Sequence, residues 1–213
     1  MRTLNKALLA GLALSVSMLG HANTVTFDDI PSQTVGNFQS GGFDFSLNGT
    51  ASVVFNGQYC GPSCPVNGTN IVIAPYGPSS LTMSKGGATF GLSRFDGSGS
   101  FNFNEWGSGG AQYFSQNIDV VGTLANGGSV SQSFQIDHSA ASGPLSFSTF
   151  AFNSSFNNLT AVTFSASGSA QPIYNGFTVD NVVAVPEPET YAMMLAGLGL
   201  MGFFAKRKKQ NLA

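Results

Sequence analysis

The strongest constraint on this chain is an alternation of apolar and polar residues with a period of two. It is clear in Phe43-Asp44-Phe45-Ser46-Leu47, Ser133-Phe134-Gln135-Ile136, Leu145-Ser146-Phe147-Ser148 and Val162-Thr163-Phe164-Ser165. Shorter pieces repeat it: Val25-Thr26-Phe27, Phe101-Asn102-Phe103 and Phe177-Thr178-Val179. Successive side chains of a strand point to opposite faces, so the pattern buries one face and wets the other. Phe, Val, Ile and Thr suit such half-buried positions. Gly-Gly, Asn-Gly and Asp-Gly pairs punctuate the runs: Gly41-Gly42, Asn48-Gly49, Gly86-Gly87, Asp96-Gly97, Gly127-Gly128 and Asn175-Gly176. Such pairs supply tight turns. No long 3.6-residue periodicity competes with them in the body of the chain. The expectation is an all-β fold, with about ten or eleven strands in an antiparallel β-sandwich or barrel. The abundant Phe would fill the space between two sheets.

Both ends depart from this pattern. Arg2 and Lys6 precede an apolar stretch from Ala7 to Leu19, and Gly20-His21-Ala22 follows with small residues at the −3 and −1 positions of a cleavage site. This reads as a secretory signal peptide over residues 1–22, cut between Ala22 and Asn23. At the other end, Val185-Pro186-Glu187-Pro188-Glu189-Thr190 leads into an uncharged apolar run from Tyr191 to Ala205, then Lys206-Arg207-Lys208-Lys209. As a helix the apolar run would be about 22 Å long. That is short for a bilayer, and snorkelling of the flanking cations would have to help it span as a single transmembrane helix. The basic cluster favours the cytoplasmic side, which leaves the body outside the cytoplasm. Pro186 and Pro188 keep their segment extended and exposed, as a processing enzyme requires. A plain membrane anchor behind a proline-rich linker accounts for the same residues. The domain reading is therefore a signal peptide at 1–22, a β-sandwich at 23–185 and a tail at 186–213.

The run from Val185 through Ala192-Met193-Met194-Leu195-Ala196-Gly197-Leu198-Gly199-Leu200-Met201-Gly202-Phe203 resembles a PEP-CTERM sorting domain. Glu189 stands where Ser is common in that family. The resemblance implies a Gram-negative bacterium that makes exopolysaccharide. It also implies recognition by a membrane exosortase that cuts near Pro186-Glu187-Pro188. The precursor would be held in the inner membrane with a periplasmic body, then moved to the cell surface or outside. Thr26-Phe27-Asp28-Asp29-Ile30, Phe152-Asn153-Ser154-Ser155-Phe156 and Phe177-Thr178-Val179-Asp180-Asn181-Val182-Val183 are similar to the bodies of many such proteins. Those bodies resemble carbohydrate-binding, jelly-roll-like modules.

Composition narrows the partners of the body. Between the two ends Lys85 and Arg94 are the only basic residues, against Asp28, Asp29, Asp44, Asp96, Glu105, Asp119, Asp137 and Asp180. Two cations against eight acids leave a formal charge of −6. Such a surface cannot neutralise phosphates, which argues against nucleic acid. Its polarity comes from Ser, Thr, Asn and Gln, a surface suited to neutral polysaccharide and equally explained by solubility. Cys60 and Cys64 flank Gly61-Pro62-Ser63 in an exported chain, so a local disulfide is expected.

In a jelly roll the first and last strands can lie side by side. Asp28, Asp29, Asp180 and Asn181 could then meet and offer hard oxygen ligands to a structural Ca²⁺; turn and strand-end capping is the competing reading. No other cofactor is expected. Trp106, in a glycine-rich stretch, is a candidate stacking platform for a sugar ring, or else a lid on the sandwich edge. Catalysis has little support. His138 is the only histidine of the body, and Asp137 beside it would point to the opposite strand face. No paired carboxylates suggest glycoside hydrolysis, and Glu105 is the only Glu of the body. The expected function is that of a non-enzymatic surface or matrix protein associated with exopolysaccharide and biofilm. A lectin-like polysaccharide binder is the alternative, and a glycoside hydrolase a remote one.

Overall fold

The computed structural model describes residues 22–55, 64–101, 114–137, 144–185 and 197–201. Twelve strands appear among them: β1 (Asn23–Val25), β2 (Asn37–Ser40), β3 (Phe43–Asn48), β4 (Ser52–Phe55), β5 (Asn70–Ala74), β6 (Ser80–Ser84), β7 (Gly91–Gly99), β8 (Asn117–Leu124), β9 (Ser129–Gln135), β10 (Ser148–Ala151), β11 (Leu159–Ser167) and β12 (Phe177–Val185). They form two antiparallel six-stranded sheets. The first has the order β10-β7-β12-β5-β4, with β1 also paired to β12; the second runs β2-β3-β6-β11-β8-β9.

The alternating sequence explains the layers. In β3 Phe43, Phe45 and Leu47 are buried while Asp44 and Ser46 face outward; in β6 Leu81 and Met83 are buried between Ser80, Thr82 and Ser84. The inward residues of both sheets form one core rich in phenylalanine. Its centre is Phe95, whose ring lies 5.1–5.4 Å from those of Phe134, Phe150, Phe152 and Phe164. The edge-on contacts to Phe134 and Phe164 are the geometry favoured by the ring quadrupole. β5 differs because it is buried throughout. Val72 and Ala74 enter the main core, while Ile71 and Ile73 join a second cluster with Val54, Cys64 and Phe101. Its sequence, Asn-Ile-Val-Ile-Ala, is accordingly a continuous apolar run rather than an alternation.

β12 organises the first sheet. The Thr178 hydroxyl donates to the Ser98 and Gly99 carbonyls, and the Ser93 hydroxyl donates to the Val183 carbonyl. β7 therefore follows one edge of β12 along its length. On the other edge β5 pairs with Phe177–Val179 and β1 with Val182–Ala184. Two strands thus share that edge end to end, with Asp180 and Asn181 at their junction.

Two sequence expectations need correction. Asp96-Gly97 is not a turn: it lies inside β7, where Ser148 and Thr149 of β10 pair with it. Glycine is required there by space, since a Cβ on Gly97 would come within 2.8 Å of Phe95 and 2.9 Å of Ile118. Leu145-Ser146-Phe147 alternates but precedes β10 rather than forming it. Among the described residues no helix is long and apolar enough to cross a membrane; residues 197–201 are helical, and the rest of the tail lies outside the described residues.

Candidate functional site

At the β1/β5 junction the ladder is interrupted and side chains complete it. Val179 and Val182 both enter the core, so two residues rather than one separate them. The strand bulges, with Asn181 at φ 48°, a left-handed conformation that Asn tolerates better than most residues. The Asn181 side-chain amide donates to Asp96 Oδ2 at 2.9 Å, and Asp96 Oδ1 accepts from the Thr149 hydroxyl at 2.6 Å. Asp180 is fully buried. Its Oδ1 accepts from the Asn181 N–H at 2.7 Å; its Oδ2 accepts from Asn67 Nδ2 at 2.5 Å and the Thr69 hydroxyl at 3.1 Å. Burial pushes this carboxyl up from 3.8 to about 6, against the lowering effect of those three hydrogen bonds; the nearby Asp28 carboxylate adds to the rise.

Asp28 Oδ1 accepts the Asn70 backbone N–H at 2.9 Å. The Asn70 side-chain amide donates to the Ile30 carbonyl at 2.8 Å, while its own Oδ1 is buried without a hydrogen-bond partner. Asp29 faces elsewhere and accepts from the Ser40 hydroxyl at 2.6 Å. The four acid and amide residues singled out in the sequence therefore divide. Asp28 and Asp180 are neighbours, Asn181 reaches toward Asp96, and Asp29 toward Ser40. Among the described residues no three His, Cys, Asp or Glu side chains converge to hold a metal.

The second polar feature is the outer face of the second sheet. Strand registers place Asn37, Ser46, Thr82, Thr163, Val121 and Ser131 in one row across all six strands. The next row holds Gln39, Asp44, Ser84, Ala161, Thr123 and Ser129. Hydroxyls and amides dominate both rows, and neither contains an aromatic or a cationic side chain. At the β2-β3-β6 end the face hollows into a groove of about 480 Å³ lined by Asn37, Gln39, Asp44, Ser46, Thr82 and Ser84 together with Phe38 and Phe45. Those two rings belong to the core side, where they stack on each other at 5.2 Å. Asp44 is held in place by Gln39 Nε2 at 2.6 Å and by the Gly86 backbone N–H at 3.0 Å. The Thr82 and Thr163 hydroxyls share a hydrogen bond of 3.0 Å. Such a groove can bind by hydrogen bonding to a neutral, hydroxyl-bearing polymer, without ring stacking.

Several sequence candidates fall elsewhere. Trp106, Glu105, His138, Cys60, Pro186, Glu187 and Pro188 lie outside the described residues. Cys64 is buried and disulfide-bonded. Ala22 is exposed, and Asn23 begins β1. The groove residues are inconspicuous in the sequence, because the apolar half of each alternation carries the fold signal. Their signal was the other half: Asp44 and Ser46 in β3, Thr82 and Ser84 in β6.

Comparison with known proteins bears first on the tail, where residues 184–209 match the PEP-CTERM protein-sorting motif. The chain carries a PEP-CTERM sorting motif. The motif implies an exported protein processed at the membrane. No curated protein sequence matches the chain. Among solved structures, the body is similar in fold to a family 29 carbohydrate-binding module, at 10% identity and a TM-score of 0.43, over 76% of this chain and 90% of that one. A xylan-binding domain of family 22 is similar at 12% identity and a TM-score of 0.40, over 79% of this chain and 96% of that one. A Stig cyclase from Fischerella sp. TAU is similar at 14% identity and a TM-score of 0.38, over 79% and 99%.

Proposed function

We propose that this is an exported surface or matrix protein, delivered by its sorting tail, whose body engages a neutral polysaccharide through the outer face of its second sheet. The observation that carries the binding half is the amide- and hydroxyl-lined groove at Asn37, Gln39, Ser46, Thr82 and Ser84. The body has almost no cations, so anionic polymers are repelled and neutral ones are not. In this reading the leader is removed between Ala22 and Asn23. The apolar tail then holds the precursor as a short membrane helix until an exosortase cuts near Pro186, Glu187 and Pro188. The setting is an exopolysaccharide matrix or biofilm, the role is non-enzymatic, and a Cys60–Cys64 disulfide closes a local loop.

The test is binding to an array of neutral and acidic polysaccharides. Neutral glycans retained by the wild type and lost in Gln39→Ala/Thr82→Ala, with the melting temperature unchanged, would support the groove. Binding lost in Trp106→Ala but kept in the groove variant would move the site to Trp106. Failure to bind any glycan would leave a matrix protein without sugar affinity.

A Ca²⁺ site at the strand junction is a second reading, favoured by the neighbouring Asp28 and Asp180 carboxylates and by the buried, unpartnered Oδ1 of Asn70, whose backbone N–H donates to Asp28. Those three residues would hold the ion, which would hold β1 and β5 together on β12 and lower the Asp180 pKa. Asp29 and Asn181 would support the loop and bulge rather than ligate. Calcium should then raise the melting temperature of the wild type and not that of Asp28→Asn.

A further inference from the structure

A two-sheet sandwich has open strand edges, and this fold closes some of its own. In β4 the Val53 N–H donates to the Thr34 carbonyl, the Val53 carbonyl accepts from the Gln33 N–H, and the Phe55 N–H donates to the Ser32 hydroxyl. At β10 the Gln132 side chain takes up the Ala151 carbonyl and the nearby Asn153 N–H. β1 and β2 are only three and four residues long. β9 is seven residues long and has none of these protections. The Leu124 N–H donates to the Gly128 carbonyl, and the Ile136 N–H donates to the Gln116 carbonyl. Bonded pairs alternate along an antiparallel ladder, so the even-numbered residues of β9 bond to β8. Ser129, Ser131, Ser133 and Gln135 therefore turn their N–H and C=O groups to the open side. All four are exposed, and among the described residues no segment takes up these groups. The strand also lacks the Lys, Pro or bulge that usually blunts an edge.

We propose that β9 pairs antiparallel with β9 of a second copy of this chain, about a twofold axis through Gln132, joining the two second sheets into one. The strand is self-complementary about that residue. Ser131 of one copy meets Ser133 of the other, and Ser129 meets Gln135. The open backbone groups of these residues then satisfy one another. On the inner face Val130 meets Phe134 in a non-hydrogen-bonded pair, where side chains approach most closely. An unrelated extended peptide would gain the same backbone bonds without these apolar pairs. Gln132, at the axis, is already engaged with Ala151 and Asn153, so β10 needs no partner of its own. Charge permits the approach of two acidic bodies. β9 carries no charge, and Asp119 lies one strand further in. Its two copies stand three strand spacings apart, about 14 Å, beyond the screening length of about 8 Å at physiological salt. The groove on β2, β3 and β6 lies toward the far side of the sheet from β9, so one dimer presents two grooves. Only that consequence, the cross-linking of two polysaccharide chains, rests on the binding reading above.

The test is sedimentation velocity of the full chain in density-matched detergent, over about 5 to 200 μM, joined to residue-resolved amide exchange. The wild type should pass from one chain to two as concentration rises. The Ser131 and Ser133 amides should become at least about tenfold better protected over the same range, while the amides of Val130, Gln132 and Phe134, already bonded to β8, should change much less. Ser131→Pro removes an N–H that has no partner within the single chain, and Ser131→Lys puts like charges on both sides of the axis. Both should hold the chain as a monomer. Ser131→Lys should leave the melting temperature of the dilute protein unchanged, so it decides the matter if proline disturbs the strand. A wild type that stays monomeric throughout would overturn the proposal. So would a dimer that survives Ser131→Lys, which would place the contact elsewhere, the apolar tail included. Ser131 and Ser133 amides that exchange equally fast at both ends of the range would overturn it as well. Each of these results leaves the glycan-binding reading to its own test.

Discussion

Replacing Asp180 with Asn isolates the electrostatics of the strand junction. Asp180 is fully buried, and its carboxyl is raised from 3.8 to about 6. At about 1.4 kcal/mol per pKa unit, ionising it in the folded state costs about 3 kcal/mol more than in the unfolded chain. The sign follows from proton counts. Below 3.8 both states hold the proton and the penalty is absent. Between 3.8 and about 6 the folded state keeps a proton that the unfolded state has released, so stability falls as pH rises, and above about 6 the loss is complete. Asn cannot ionise, although it gives up one of the acceptor positions now used by Asn67, Thr69 and the Asn181 N–H, at a pH-independent cost of about 1–2 kcal/mol. The informative quantity is therefore the difference between wild type and Asp180→Asn across pH. Groups that do not interact with Asp180 contribute equally in both proteins and cancel. Denaturant unfolding at pH 4, 5, 6 and 7, with a chelator present, should show the wild type losing on the order of 3 kcal/mol relative to the variant. In thermal unfolding this corresponds to about 6–12 °C for a domain of this size. A flat difference, or a wild type that gains on the variant as pH rises, would refute the account of a destabilised buried carboxylate. Added calcium that flattens the wild-type curve would favour the ion at this junction.

Other perturbations have equally definite outcomes. Phe95→Ala removes the ring at the centre of the core and should cost about 3–5 kcal/mol in chemical denaturation. Gly176→Ala should cost more than about 2 kcal/mol, because its Cβ would come within 2.5 Å of the Pro75 carbonyl and 2.7 Å of that of Ala74, a clash with backbone that no rotamer relieves. Gln132→Ala should cost about 1–2 kcal/mol, since Gln132 fastens the second sheet to the first by donating to the Ala151 carbonyl and accepting from the Asn153 N–H. Reducing the Cys64 disulfide should lower stability by less than about 3 kcal/mol, because a short loop constrains the unfolded chain only a little.

The layer structure was legible in the sequence because burial acts residue by residue. The alternation in β3, β6 and β11 directly encodes which side faces the core. β5 was not legible, because its two buried faces erase the alternation and its second partner, the cluster with Val54 and Phe101, is assembled from distant segments. Asp96-Gly97 misled for a related reason. A glycine demanded by packing against Phe95 and Ile118 looks the same in sequence as one demanded by a turn. The proximity of Asp28 and Asp180 followed from adjacent first and last strands. Their separation from Asp29 and Asn181 did not, since it depends on a single left-handed residue in β12 and on the path of the chain after Phe27, which is also left-handed at φ 58°. The groove was hidden for a third reason. Its residues are ordinary strand-surface Ser, Thr, Asn and Gln, and only the pairing register gathers them in one place.

The most direct test of the whole account is the intact mass of the protein recovered from the envelope and the culture medium of cells that express it with their native export machinery. The account predicts a species that begins at Asn23 and ends within or just before Pro186-Glu187-Pro188. A cytosolic polypeptide with both Met1 and Ala213 still in place would contradict it.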